Sequence, residues 1–288
     1  MMVGFKFSAL VTVTATLIAT AEAQKKPIFH VNNLPDKWEP GQVGSNQCKK
    51  WGDSSPDSMC QNVFVNSAND FCLFLPYTPN TTIGDEEERT VSYCTRSGYG
   101  TRVFSPGTIK GAQFLKTPNY LQVTGYGDFT KVVAPGDEGG ELDPHGATGA
   151  GNPPGGLVFS NAIPGHEGHW RQSREWSSFA SATEFSIRLG YGSKAALYAP
   201  HIYDEMGAQW NHPGKYYHHK FEDCDGDSGA PPGVYGDYTF HQGDPKTPPA
   251  HPPPASSNCH PLPSPDGGLA PQKPYRKRAL PTAVADRL

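Results

Sequence analysis

Proline and glycine recur so often along this chain, 29 and 32 times in 288 residues, that a long uninterrupted helix has almost nowhere to form. Short strands joined by turns suit such a sequence better. Phe185, Ile187 and Leu189 alternate with Glu184, Ser186 and Arg188, the two-residue period of a half-buried strand. Leu121, Val123 and the stretch 129–133 flank Gly125-Tyr126-Gly127-Asp128, which predicts a hairpin turning at 125–128. Further strands are expected at 102–104, 113–115, 157–159 and 234–240. The stretches 170–179 and 197–206 fit strand or helix, with Pro200 limiting any helix in the second. The expected fold is mostly β, a β-sandwich or jelly-roll-like domain with long Gly/Pro-rich loops.

Lys6, an apolar run diluted by Ser and Thr over 7–19, and Ala21-Glu22-Ala23 before Gln24 read as a signal peptide spanning residues 1–23. The run is too short and too rich in hydroxyls to cross roughly 30 Å of hydrocarbon, so no membrane anchor is expected. Cleavage of 23 from 288 residues leaves 265, enough for a substantial core. The net charge of -4 lacks the cationic footprint that phosphate backbones select, which argues against nucleic acid as a partner.

An even set of cysteines behind a signal peptide, Cys48, Cys60, Cys72, Cys94, Cys224 and Cys259, reads as disulfides. Zinc thiolates would need C-x2-C spacing, whereas the nearest two cysteines are 12 apart. Pairing of four within the first hundred residues and of Cys224 with Cys259 is the arrangement favoured here, although spacing alone does not select it. Asn80-Thr81-Thr82 is a glycosylation sequon after Pro79 in a turn-rich stretch, so Asn80 is expected to carry a glycan.

The domain is expected to run over 24–240. From residue 241 to 288 prolines accumulate and large apolar residues nearly vanish, the composition of a disordered, extended tail. Cys259 would staple its first part back to the domain.

Four constellations could carry chemistry. Cys224-Asp225-Gly226-Asp227-Ser228-Gly229-Ala230-Pro231 looks like the segment around a protease nucleophile, but Ser228 has no histidine in a matching context, and only 12 residues separate it from the tail. Asp223, Asp225 and Asp227 offer oxygens at alternate positions as in a calcium loop, yet Ser228 replaces the turn glycine and Val234 the bidentate glutamate, so an Asx-turn is the preferred reading. His166 and His169 approximate a zinc motif, with His145 or His212 as a third ligand, but three-residue spacing between glycines does not fit the helix that motif needs. Glu138, Glu141 and Asp143 open a glycine-rich loop running to 156, and paired carboxylates there could serve glycoside hydrolysis. That loop supplies no lysine and no helix start, so no nucleotide or other cofactor is expected. Trp170, Trp176, Trp210, Tyr216 and Tyr217 are expected in the core, and would mark a sugar-stacking face if exposed together.

Several stretches together carry a more specific signal: Asn69-Asp70-Phe71-Cys72-Leu73-Phe74, 91–95 around Cys94, 116–130, 136–160, 201–207 and 223–236. In this order, over roughly 47–259, the chain resembles the secreted basidiomycete-type fungal macrophage activating glycoproteins. The resemblance implies a secreted or wall-associated fungal glycoprotein. It also implies extra cysteines at places that here hold Ser186, Leu189 and Ala208, so a looser structure is expected there. Related chains continue into a lipid-anchored C-terminus, while this sequence runs from Arg276 to Leu288 without an apolar tail, so release is expected. The functional expectation is a secreted, non-catalytic glycoprotein that binds wall glycan or a host cell surface, with a secreted glycoside or serine hydrolase as the alternative.

Overall fold

The computed structural model describes residues 26–267. The expected signal peptide and the end of the proline-rich tail, including 276–288, lie outside the described residues.

Among the described residues fifteen short strands alternate with turns: β1 (Asn62–Ser67), β2 (Asp70–Pro76), β3 (Thr90–Cys94), β4 (Arg102–Val103), β5 (Ile109–Lys116), β6 (Tyr120–Gly127), β7 (Gly140–Leu142), β8 (Leu157–Ser160), β9 (Arg171–Ser173), β10 (Glu175–Ala180), β11 (Glu184–Gly190), β12 (Phe221–Gly226), β13 (Val234–Tyr235), β14 (Tyr238–Thr239) and β15 (Ser256–Pro261). They form a six-stranded sheet in the order β4-β3-β2-β1-β8-β9, a seven-stranded sheet in the order β15-β12-β5-β6-β11-β10-β7, and a small β13-β14 ribbon. The described helices span only three to five residues each. This is the mostly-β, sandwich-like class that the Pro/Gly density demands.

The two large sheets face each other across an aromatic core. Phe71 of β2 stacks on Phe185 of β11 with ring centroids 5.3 Å apart, and Phe74 meets Trp176 of β10 at 5.4 Å. Phe185, Ile187 and Leu189 point into this layer and are fully buried, as their alternation predicts. Their neighbours Ser186 and Arg188 point to the other face and are buried too, because the segment 192–220 covers it. Gln122 donates to the Pro213 carbonyl at 3.1 Å and Thr124 to that of Lys215 at 3.0 Å. Arg188 bonds Gln122 at 2.7 Å and the Tyr198 carbonyl at 2.9 Å, with its guanidinium 4.2 Å from the Tyr120 ring centre.

The hairpin expected at 125–128 does not form. β6 continues through Gly125 and pairs on one side with β5 and on the other with β11, so the reversal between β5 and β6 falls at 117–119. The glycines there do not serve a turn. A Cβ at Gly125 would lie 2.1 Å from the Gly111 carbonyl oxygen and 2.8 Å from Phe185, so the strand needs glycine for close packing.

Disulfides join Cys48 to Cys60, Cys72 to Cys94 and Cys224 to Cys259. The third ties β12 to β15, so part of the proline-rich segment adds an edge strand to the larger sheet.

Candidate functional site

Several acidic side chains come together where β7 leaves the sheet. β7 pairs with β10 so that Leu142 sits opposite Ser178 and Glu141 opposite Phe179. Alternation turns Leu142 into the inter-sheet core and Glu141 to the covered face. There the turns Glu87–Arg89 and Asp204–Met206 pack against β7. Glu141 is only 4% exposed, and neither carboxylate oxygen has a hydrogen-bond partner. Burial, reinforced by neighbouring Asp204, Asp143 and Glu87, holds its pKa well above the ordinary carboxylate range. With both acids ionised, Glu141 and Asp204 have no hydrogen bond to share; a proton on one of them provides one. Burial and the nearby Asp204 and Asp143 likewise push Glu87 up to about 7.

Asp143 organises the loop that follows. Its Oδ1 accepts from the His145 amide at 2.6 Å and the Gly146 amide at 2.8 Å, an Asx-turn. Asp143 and Asn152 exchange backbone hydrogen bonds at 3.1 and 2.9 Å, and the Asn152 side chain donates to Glu87 at 2.9 Å. At the far end the Gly155 carbonyl accepts from Trp38 at 3.1 Å and Asn46 at 2.9 Å. The loop is therefore tied at both ends, and its tip, Ala147-Thr148-Gly149, is exposed.

Beside it stand two imidazoles and a carboxylate. The His145 and His201 rings stack with centroids 3.8 Å apart, and His145 Nε2 lies 3.6 Å from Glu175 Oε2. Burial, then the neighbouring His145, lower the His201 pKa. All three side chains are half-buried, and their ligand atoms lie within 4.8 Å of one another.

Of the residues singled out from sequence, Glu141 and Asp143 come together here, and His145 joins them. Glu138 lies on the approach to β7 and takes part in none of the described ion pairs. Ser228 accepts from Asn119 at 2.8 Å and donates to Thr117 at 3.2 Å, which leaves its hydroxyl in a polar turn without an imidazole base. The three aspartates of that segment separate. Asp223 accepts from the Ala68 amide at 2.7 Å, Asp225 pairs with Lys116 at 3.3 Å, and Asp227 is exposed. His166 and His169 are exposed in a turn, where His166 lies 3.4 Å from Arg171. Trp176 and Trp210 are buried, and Trp170 packs edge-on against Phe64 at 5.2 Å, so these tryptophans form no exposed stacking face. Glu175, His201, Asp204 and Glu87 were missed. They are scattered over more than a hundred residues, and no local spacing connects them. Asn80 is exposed in a left-handed turn at φ 63°.

Comparison with known proteins places the chain among fungal proteins. It is 50% identical over 249 residues to appressorium protein ROW2 of Mycosarcoma maydis, covering 85% of both chains. It is 44% identical over 254 residues to appressorium protein ROW1 of the same fungus, covering 82% of this chain and 59% of ROW1. The chain belongs to this family of fungal appressorium proteins. No family model matches the chain, and no solved structure does. The fungal family implied by the earlier resemblance is thus supported, and the relatives matched are appressorium proteins. Secretion is compatible with three disulfides and with the finding that no described helix is long and apolar enough to cross a membrane.

In this family member Ser186, one of the places where cysteine was expected from the resemblance, bonds a buried histidine instead. His212 lies between Ser177 and Ser186, with its two ring nitrogens 2.8 Å from their hydroxyls. Burial, with Arg188 nearby, holds its pKa well below the ordinary value of 6.5. The native ring stays neutral while the unfolded chain takes up a proton, so the stability linked to it is complete above pH 6.5 and falls as pH drops. Compared with His212→Gln, the wild type should lose stability with a slope that approaches about 1.4 kcal/mol per pH unit from about one unit below that point. Urea titrations at pH 7.5, 6.0 and 5.0 measure the difference, and a gap independent of pH would rule out the buried neutral ring.

Proposed function

We propose that the chain is a secreted, non-catalytic protein of the fungal surface that binds wall glycan through the loop between β7 and β8. The observation that carries this reading is the loop itself, fixed at both ends with a short exposed tip. A loop fixed before contact loses little conformational entropy on binding. The name of its relatives places them at the appressorium, the setting in which a surface-acting protein would work. The resemblance to macrophage activating glycoproteins belongs to the same proposal, with a host cell surface as a second contact. Since Trp176 and Trp210 are buried and Trp170 packs against Phe64, sugar recognition would rest on hydrogen bonds from the loop rather than on ring stacking.

The raised pKa values of Glu87 and Glu141 favour a second reading, a secreted hydrolase with a carboxyl acid at this site. Against it stands the seclusion of Glu141, whose oxygens reach no solvent and so no substrate. Incubation of the purified mature protein with chitin, β-glucan and mannan, scored for retention and for soluble product, separates the two. Retention without product is expected, and Thr148→Arg should weaken it about tenfold, 1.4 kcal/mol. Retention untouched by that substitution would remove the loop from the contact. Product that disappears in Glu141→Gln would establish the hydrolase reading.

A further inference from the structure

We propose that His145, Glu175 and His201 form a binding site for a divalent transition-metal ion of the zinc or copper class. This inference goes beyond the surface-binding reading and does not depend on it. Two imidazoles and one carboxylate are a donor set of borderline softness, suited to such ions and poorly suited to calcium or magnesium, which favour all-oxygen shells.

The three ligands come from separate, well-anchored elements. His145 follows the Asx-turn of Asp143, whose carboxylate accepts the His145 amide at 2.6 Å. Glu175 opens β10, paired with Gly190 of β11. His201 follows Pro200 beyond the short helix Ala195–Tyr198. Their ligand atoms already lie within 4.8 Å of one another, and all three side chains retain access to solvent. In the stacked arrangement the two imidazole planes are 16° apart, so ligation requires each ring to turn about its terminal side-chain torsion until the nitrogens face one point. That torsion is broad for histidine, which makes the adjustment small in energy.

A second observation also points to a cation. Asp143 and Glu175 both act on His201, and Asp143 in turn adjoins the acids Glu87, Glu141 and Asp204; none of the five pairs with lysine or arginine among the described ion pairs. Glu141, buried and without a hydrogen-bond partner, is the extreme case. A divalent ion at the imidazole pair would lower the electrostatic cost of these carboxylates together. Three protein ligands leave a coordination position for water. The zinc ligands considered from sequence, His166 and His169, take no part.

Calorimetric titration of the mature, untagged protein, stripped with EDTA, tests the site with zinc chloride, copper sulfate and calcium chloride as probes. One equivalent of zinc or copper should bind, with no comparable binding of calcium. His201→Gln and Glu175→Gln should each weaken it by more than about 100-fold, beyond the range found for outer-shell substitutions. His166→Gln with His169→Gln should leave it unchanged. Far-UV circular dichroism in EDTA confirms that each variant is folded, and Glu175→Gln, at the surface end of its strand, serves if His201→Gln is not. Absence of saturable zinc or copper binding, equal binding of calcium, or affinity insensitive to these ligands would overturn the assignment.

Discussion

Replacement of both Cys72 and Cys94 by serine should lower stability more than removal of either other disulfide. Cys72 and Cys94 face each other across β2 and β3 and are fully buried. Their bridge closes a span of 22 residues, for which chain entropy alone gives about 3 kcal/mol. The serine pair also places two hydroxyls in the core, each costing about 1–3 kcal/mol. Loop length by itself would rank Cys224–Cys259 first, because it spans 35 residues. Yet Cys259 is exposed on the edge strand β15, and its loss should free little more than that edge. Urea denaturation of the three double-serine variants decides the order. A larger loss for Cys224/Cys259 would mean that loop entropy outweighs burial in this fold.

Gly125→Ala should be the most damaging single methyl in the described chain's larger sheet. β6 lies between β5 and β11, so it cannot move away from either. The added carbon would sit 2.1 Å from the Gly111 carbonyl oxygen, on backbone that is itself hydrogen-bonded. On the other side Phe185 is fully buried between Phe71 and Phe129, with ring centroids at 5.3 and 5.8 Å. Overpacking of this kind costs about 3 kcal/mol or more, which corresponds to a fall in Tm of roughly 6–12 °C for a domain of this size. Gly84→Ala is the control, since a Cβ there meets nothing within 4 Å and the residue lies in a short helix. Thermal unfolding followed by near-UV circular dichroism reads both. A Gly125→Ala protein as stable as the control would mean that the sheet can open at this point.

The same glycine marks where local reading stops. Gly125-Tyr126-Gly127-Asp128 between apolar runs has the composition of a turn, and only the position of β6 between two partners shows that glycine is there for close approach. The alternation of Phe185, Ile187 and Leu189 was legible because the core lies on one side of β11. What covers its other face was not legible, since Arg188 and Ser186 read as solvent-facing until the segment 192–220 is folded over them. At the candidate site, Glu141 and Asp143 stand close together in sequence and read, with Glu138, as a carboxylate group, whereas His145 reads only as a third ligand for His166 and His169. Glu175 and His201 carry no local motif, and their approach depends on β10 pairing with β7 and on the path taken after Pro200.

By itself the sequence determined the class of fold, because frequent proline and glycine forbid long helices and two-residue periodicity needs a sheet to bury it. It also determined a disulfide-bonded chain, through an even set of widely spaced cysteines. The tertiary structure alone decided which cysteines meet, which polar side chains are enclosed and which distant histidines and carboxylates share a site. Those outcomes depend on contacts between residues far apart in the chain, and pairing across sheets, not local propensity, brings such residues together.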